Sequence, residues 1–140
     1  MPQQSINMSF QFNKPLATVF ADLSNHELFG KICGIKMTTI QQGEDGACGL
    51  GSVRKINIGP LPSFEETITE FKEGEFIEYK ITRGSPIKNH VGTLRFKEQG
   101  DGCSLDYQIK LESKIPFTTG LIKSVLKQGI SKGISSYAAA

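Results

Sequence analysis

Along most of this chain apolar and polar side chains alternate in short runs, and only near the C-terminal end does the period lengthen. The sharpest alternation sets Cys103, Leu105, Tyr107, Ile109 and Leu111 against Ser104, Asp106, Gln108, Lys110 and Glu112. A period of two sends successive side chains to opposite faces of an extended strand, so 103–111 reads as half-buried β-structure. Ile6, Met8, Phe10 and Phe12 repeat the pattern. Five more strands are expected at 35–41, 52–58, 64–71, 76–83 and 90–96. The breakers between them are Gly59-Pro60-Leu61-Pro62, Lys72-Glu73-Gly74-Glu75, Gly84-Ser85-Pro86 and Gly100-Asp101-Gly102.

Helical spacing takes over at three places. Leu16, Val19, Phe20 and Leu23 predict a helix over about 14–23, with Asn13 as its cap and Pro15 in its first turn. Ser24-Asn25 then caps a short helical turn through His26, Leu28 and Phe29, closing at Gly30. His26, between Asn25 and Glu27, is expected at the surface. Pro116 stops the last strand ahead of a long amphipathic helix, 117–140. One arc of that helix gathers Ile122, Val125, Leu126, Gly129, Ile130, Gly133 and Tyr137; the other carries Ser124, Gln128, Ser131, Lys132 and Ser135. The predicted fold class is α+β, in the order β-α-α-β6-α. Seven antiparallel strands wrap the long C-terminal helix as one domain, 1–140.

Composition narrows the function classes. Hydrophobic content of 38% is that of an ordinary globular protein, and no apolar run approaches the roughly 18 residues a membrane-spanning helix needs. MPQQSINMSF lacks the basic and apolar regions of a signal peptide, so a cytoplasmic location without stable membrane insertion is expected. The 16 basic and 14 acidic residues are interspersed, and the longest basic cluster is Arg54-Lys55, which offers no nucleic-acid footprint. Cys33, Cys48 and Cys103, odd in number and widely spaced, read as reduced thiols.

Met8-Ser9-Phe10-Gln11-Phe12-Asn13-Lys14-Pro15, followed by Val19-Phe20, resembles the strand and proline-started helix that open START-like domains. Glu66-Thr67-Ile68-Thr69-Glu70-Phe71 with Phe76-Ile77-Glu78-Tyr79 resembles their central hairpin. Nearly the whole chain is similar to this START-like, Bet v 1-like (SRPBCC) superfamily, and within it to the polyketide cyclase/dehydratase group. The resemblance implies a helix-grip fold with a cavity between sheet and C-terminal helix for an apolar or amphipathic ligand. The chain departs from many relatives in its short first helical region and in having no Trp.

The turns suggest which side chains face that cavity. A hairpin at 59–63 sets Ile58 opposite Phe64, Ile56 opposite Glu66 and Arg54 opposite Ile68. The next hairpin sets Phe71 opposite Phe76, Ile68 opposite Tyr79, Glu66 opposite Ile81 and Phe64 opposite Arg83. Arg54, Glu66 and Arg83 then share an apolar face with Ile56, Ile68 and Tyr79. They are either a polar anchor for a ligand or rim residues reaching solvent. His90 shares inward parity with Gly92, Leu94 and Phe96; it is either a general acid–base or a satisfied strand-end histidine. Tyr107 and Tyr79 either only pack or also contact ligand. With Leu126, Gly129, Ile130 and Gly133 from the helix, these residues make up the candidate ligand site. The two glycines either let the backbone approach the sheet or leave room for ligand.

Other chemistries find little support. No C-x-x-C or H-x-x-x-H pattern supports a metal. Gly49-Leu50-Gly51-Ser52 is not a nucleophile elbow. The 43–51 glycine loop opens onto a strand instead of a helix, so it is a flap or a connection and not a phosphate cradle. Glu66 and Glu70 are an undistinguished carboxylate pair. The expected function is binding or transport of a small hydrophobic or amphipathic molecule (lipid, isoprenoid or polyketide-like) without a cofactor. The alternative is a cyclase or dehydratase using His90, Arg54 or Glu66. Oligomeric state, monomer or homodimer, is left open.

Overall fold

The computed structural model describes residues 4–58, 62–84, 87–113 and 118–140. Its elements are β1 (Gln4–Phe12), α1 (Leu16–Ser24), α2 (His26–Cys33), β2 (Lys36–Gln41), β3 (Val53–Asn57), β4 (Phe64–Lys72), β5 (Phe76–Arg83), β6 (Ile87–Gln99), β7 (Gly102–Ser113) and α3 (Thr118–Ala139). The expected turn at 59–61, the break at 85–86, Pro116 and Phe117 lie outside the described residues, as do the side chains of Ile122 and Val125.

All seven strands join one open antiparallel sheet in the order β1-β7-β6-β5-β4-β3-β2. Sequential hairpins build it from β2 to β7, and β1 closes on β7 with Met8 opposite Tyr107. One face is buried: Ile6, Met8, Ile56, Ile68, Leu94, Leu105 and Ile109 lie on it in strict alternation. α3 packs on β1, β7 and α2. No helix among the described residues is long and apolar enough to cross a membrane.

The cap of α1 and the end of α2 differ from those expected, while Asn25 caps α2 as the sequence predicts. α1 begins after Pro15, whose carbonyl accepts from the Thr18 and Val19 N–H groups, each at 3.1 Å, so Asn13 lies too early to cap it. α2 is capped by Asn25, whose side chain accepts from Leu28 N at 3.0 Å. It runs past Gly30 to Cys33 and stops at Gly34, which adopts the left-handed conformation (φ 72°) that favours glycine. Gly30 is instead a packing residue: a Cβ there would sit 2.5 Å from the Ile35 carbonyl oxygen.

Three register details decide the inner face. Across β3 and β4, Arg54 stands opposite Glu66 and Ile56 opposite Phe64, two residues from the expected pairing. An even shift keeps the same face inward, and here it moves the arginine from diagonal to directly facing the carboxylate. Between β4 and β5 the Ile68–Tyr79 and Glu66–Ile81 pairs stand as expected, but the register breaks on either side of them. One break sets Phe71 opposite Ile77. The other sets Arg83 opposite Glu65 and leaves Arg83 exposed, correcting its inward assignment.

Candidate functional site

The inner face of β3–β6 carries a cluster of polar side chains in apolar surroundings. Arg54 is 3% exposed, Glu66 5% and His90 5%. Arg54 donates from Nε to Glu66 Oε1 at 2.9 Å, and its Nη2 lies 2.8 Å from the same oxygen. With both nitrogens converging on one acceptor, Nη2 is near enough for charge attraction but has no acceptor in hydrogen-bond alignment. The guanidinium is sandwiched between rings, its Cζ 4.5 Å from the Tyr79 centroid and 5.4 Å from that of Phe29. Burial is the largest single influence and works against the Arg54 charge, but the Glu66 carboxylate with its hydrogen bond, together with Tyr79 and Tyr107, outweighs it and holds the guanidinium above its ordinary pKa.

α2 supplies a partner that its polar neighbours concealed. His26 is 1% exposed, not a surface residue: its ring lies under α2, with Nδ1 3.5 Å from Arg54 Nη1 and Nε2 2.9 Å from Ser52 Oγ. A guanidinium only donates, so Nδ1 accepts and Nε2 carries the proton given to Ser52. Burial, and then the Arg54 charge, push the His26 pKa down to about 3. A sequence signal existed, because His26, Phe29, Gly30 and Cys33 fall at i, i+3, i+4 and i+7 and form the buried stripe of α2.

Tyr79 is central. Its hydroxyl is hydrogen-bonded to that of Tyr107, and the rings meet edge to face at 6.4 Å. Its ring lies across Gly92, where a Cβ would fall 2.1 Å from Tyr79 Cζ, so the glycine makes room for the tyrosine. His90 stacks on the same ring at 5.7 Å, and its Nδ1 is buried with no partner. Burial pushes both phenol pKa values up and that of His90 down, so all three groups are neutral near pH 7. Burial also raises the nearby Cys33 thiol to about 12, so it stays protonated.

Of the remaining candidates, Ile56 and Ile68 are buried beside this cluster, and Leu126 and Ile130 are buried on α3. The buried line of α3 continues from Leu126 and Ile130 to Ile134, a residue the sequence-derived arc omits. The glycine arc is turned toward α2, not toward the sheet. A Cβ on Gly133 would lie 1.9 Å from the Ile32 carbonyl oxygen, and one on Gly129 3.5 Å from that of Cys33. At Gly133 the close approach is therefore to helix backbone, and no room is left there for a ligand. Glu70 is exposed beyond the Ile68/Glu70 register break, so it forms no pair with Glu66. The 43–51 loop is held by its own backbone, with Gly43 N to Gly46 O at 2.8 Å and Glu44 N to Leu50 O at 2.9 Å. It borders a surface groove of about 350 Å³ between α2 and β2, away from the inner face. Among the described residues no three His, Cys, Asp or Glu side chains gather as a metal site.

Residues 3–140 match the sequence profile of the family described as polyketide cyclase/dehydrase and lipid transport. Comparison with curated proteins by sequence found no match. Among solved structures the chain is similar to a START superfamily protein from Mycobacterium smegmatis (TM-score 0.78, 12% identity, 96% of this chain and 97% of that one). It is also similar to a protein from Thermus thermophilus (TM-score 0.76, 13% identity, 94% and 92% covered). A third is Ara h 8.0201 (TM-score 0.70, 17% identity, 99% of each chain). At such identities these likenesses speak for the fold, while the profile, spanning all but the first two residues, speaks for descent. The chain belongs to the polyketide cyclase/dehydrase and lipid transport family, with the START-like, Bet v 1-like fold.

Proposed function

We propose that the protein binds a small hydrophobic or amphipathic molecule against the inner face of its sheet, beneath the C-terminal helix, with its polar end at the Arg54–Glu66–Tyr79–His90 cluster. The observation that supports this reading is a pair of buried nitrogens on either side of Tyr79 with unused hydrogen-bonding capacity: His90 Nδ1, which has no partner, and Arg54 Nη2, which lies 2.8 Å from Glu66 Oε1 but out of hydrogen-bond alignment. A buried donor or acceptor without a partner costs about 1–3 kcal/mol, so polar groups retained here need a compensating role. The joint with α2 accounts for Arg54 Nη1 and for His26, and Glu66 accounts for Arg54 Nε; neither accounts for these two atoms. The family's association with lipid transport points the same way. Native mass spectrometry of protein purified without detergent tests the reading, together with displacement of the neutral fluorophore N-phenyl-1-naphthylamine. Retention or saturable uptake of an apolar molecule is expected. A protein that carries nothing and binds no such probe would overturn it.

One observation favours an enzymatic reading as well. His90 is a buried imidazole held neutral, with a ring nitrogen free to take a proton, which is what a cyclase or dehydratase base requires. On a confirmed substrate, His90→Ala should then lower kcat at least ~100-fold. Unchanged turnover removes His90 as the catalyst.

A further inference from the structure

The charge balance of the cluster narrows what the polar end of a ligand can be; this step rests on the ligand-binding reading above. Arg54 contributes one positive charge and Glu66 one negative, and they already face each other at 2.8 Å. His26, whose Nδ1 accepts from Arg54 and whose Nε2 donates to Ser52, adds no charge. The Tyr79 and Tyr107 hydroxyls share one hydrogen bond and are likewise neutral. The inner face is thus electrically closed, yet Arg54 Nη2 still has a hydrogen to give and His90 Nδ1 still has hydrogen-bonding capacity. A carboxylate brought here would find one more buried negative charge than positive, and among the described residues no second fixed cation answers it; His90, neutral here, would have to take up a proton to do so. Arg83, which would have been that cation, is turned out to solvent by the register break in the β4–β5 hairpin. Burying an uncompensated ion is far costlier than burying a hydrogen-bonded neutral group.

We propose that this site takes an uncharged head group carrying both an acceptor, for Arg54 Nη2, and a donor–acceptor function for His90 Nδ1, and turns away carboxylates of the same size and chain. A hydroxy-ketone, an amide or an enolised diketone has this character; a free fatty acid at neutral pH does not. The test uses an isosteric pair, decanamide and decanoate, competing against N-phenyl-1-naphthylamine at pH 7.5. The wild-type protein should bind decanamide at least tenfold more tightly. Glu66→Gln leaves the Arg54 charge unanswered, so the preference should invert toward decanoate. A wild-type preference for decanoate, or a Glu66→Gln protein with an unchanged ratio, overturns the inference and leaves the binding reading intact. Binding of neither compound nor of the fluorophore overturns both. If Glu66→Gln does not fold, calorimetry of decanoate with the wild type in phosphate and in Tris decides. The acid should enter neutral and take up close to one proton in the wild type and equally in His90→Ala; decanoate bound without proton uptake, or uptake lost in His90→Ala, refutes the proposal.

Discussion

Gly129 and Gly133 sit one helical turn apart on the same side of α3, yet they should respond oppositely to the same substitution. In a helix interior Gly→Ala is favourable by about 1 kcal/mol through the conformational freedom the unfolded chain loses. At Gly129 the added methyl would meet only the Cys33 carbonyl oxygen, at 3.5 Å, an ordinary contact, so the helix term prevails. At Gly133 it would fall 1.9 Å from the Ile32 carbonyl oxygen, 2.8 Å from that residue's carbonyl carbon and 3.0 Å from Cys33 Cα. These are backbone atoms of a packed helix, so α2 and α3 must separate, and overpacking of this kind costs about 1–3 kcal/mol or more. Gly129→Ala should therefore gain up to about 1 kcal/mol and Gly133→Ala lose about 1–2 kcal/mol net. For a chain of this size 1 kcal/mol corresponds to a change in Tm of about 3–4 °C, so the variants should differ by about 6–12 °C. Thermal unfolding followed by far-UV circular dichroism, supported by urea titration with unchanged slope, measures both. A Gly133→Ala protein as stable as Gly129→Ala would refute the close packing of the two helices.

Arg54→Met leaves the Glu66 carboxylate buried and unpaired and should destabilise the fold by about 3–5 kcal/mol, while Arg54→Met/Glu66→Met should lie close to the wild type; a urea double-mutant cycle measures the difference. Stability should also fall with acidification. With His26 near 3 when folded and about 6.5 when unfolded, the unfolded state binds the extra proton between those values, so the contribution is whole above pH 6.5 and lost as pH drops toward 3. The loss amounts to about 2 kcal/mol by pH 5, with His90 acting in the same direction, and His26→Gln should flatten the slope of stability against pH. Tyr137→Phe removes a 2.6 Å hydrogen bond to Asp22 that ties α3 to α1, and should lower stability by about 1 kcal/mol in urea unfolding. Gly92→Ala should displace the Tyr79 ring and lower Tm, with part of the loss recovered in Gly92→Ala/Tyr79→Leu.

Element type and order are legible because each strand alternates over its own length and each turn carries its own glycine or proline. Residues 103–111 and 6–12 need no tertiary information at all. What parity cannot convey is an extra residue in a ladder. Counting from Glu66 places Arg83 inward, and the count fails at a bulge whose residue, Thr82, satisfies its hydroxyl against Thr67 at 2.8 Å on the outer face. His26 misleads for a different reason: its sequence neighbours are polar, but helical spacing, not adjacency, decides the face it shares with Phe29. Periodicity puts Gly129 and Gly133 on the apolar arc, where they are. Which neighbour that arc meets depends on where α2 lies, and the periodicity of α3 carries no trace of it. The Arg54–Glu66 encounter is half visible, since a two-residue error in register preserves the face while changing the partner.

The joint between His26, Ser52 and Arg54 bears on how the protein keeps one shape. α2 is only eight residues long, and apolar contact is indifferent to direction, so grease alone would let so short a helix settle in more than one seat. A buried imidazole that must find both a hydroxyl and a guanidinium admits one seat and penalises its neighbours, as an indexing pin does in a machine part. Loss of that pin should blur the structure before it weakens it. A His26→Leu protein would keep much of its resistance to urea while its amide NMR resonances around α2 broaden or double.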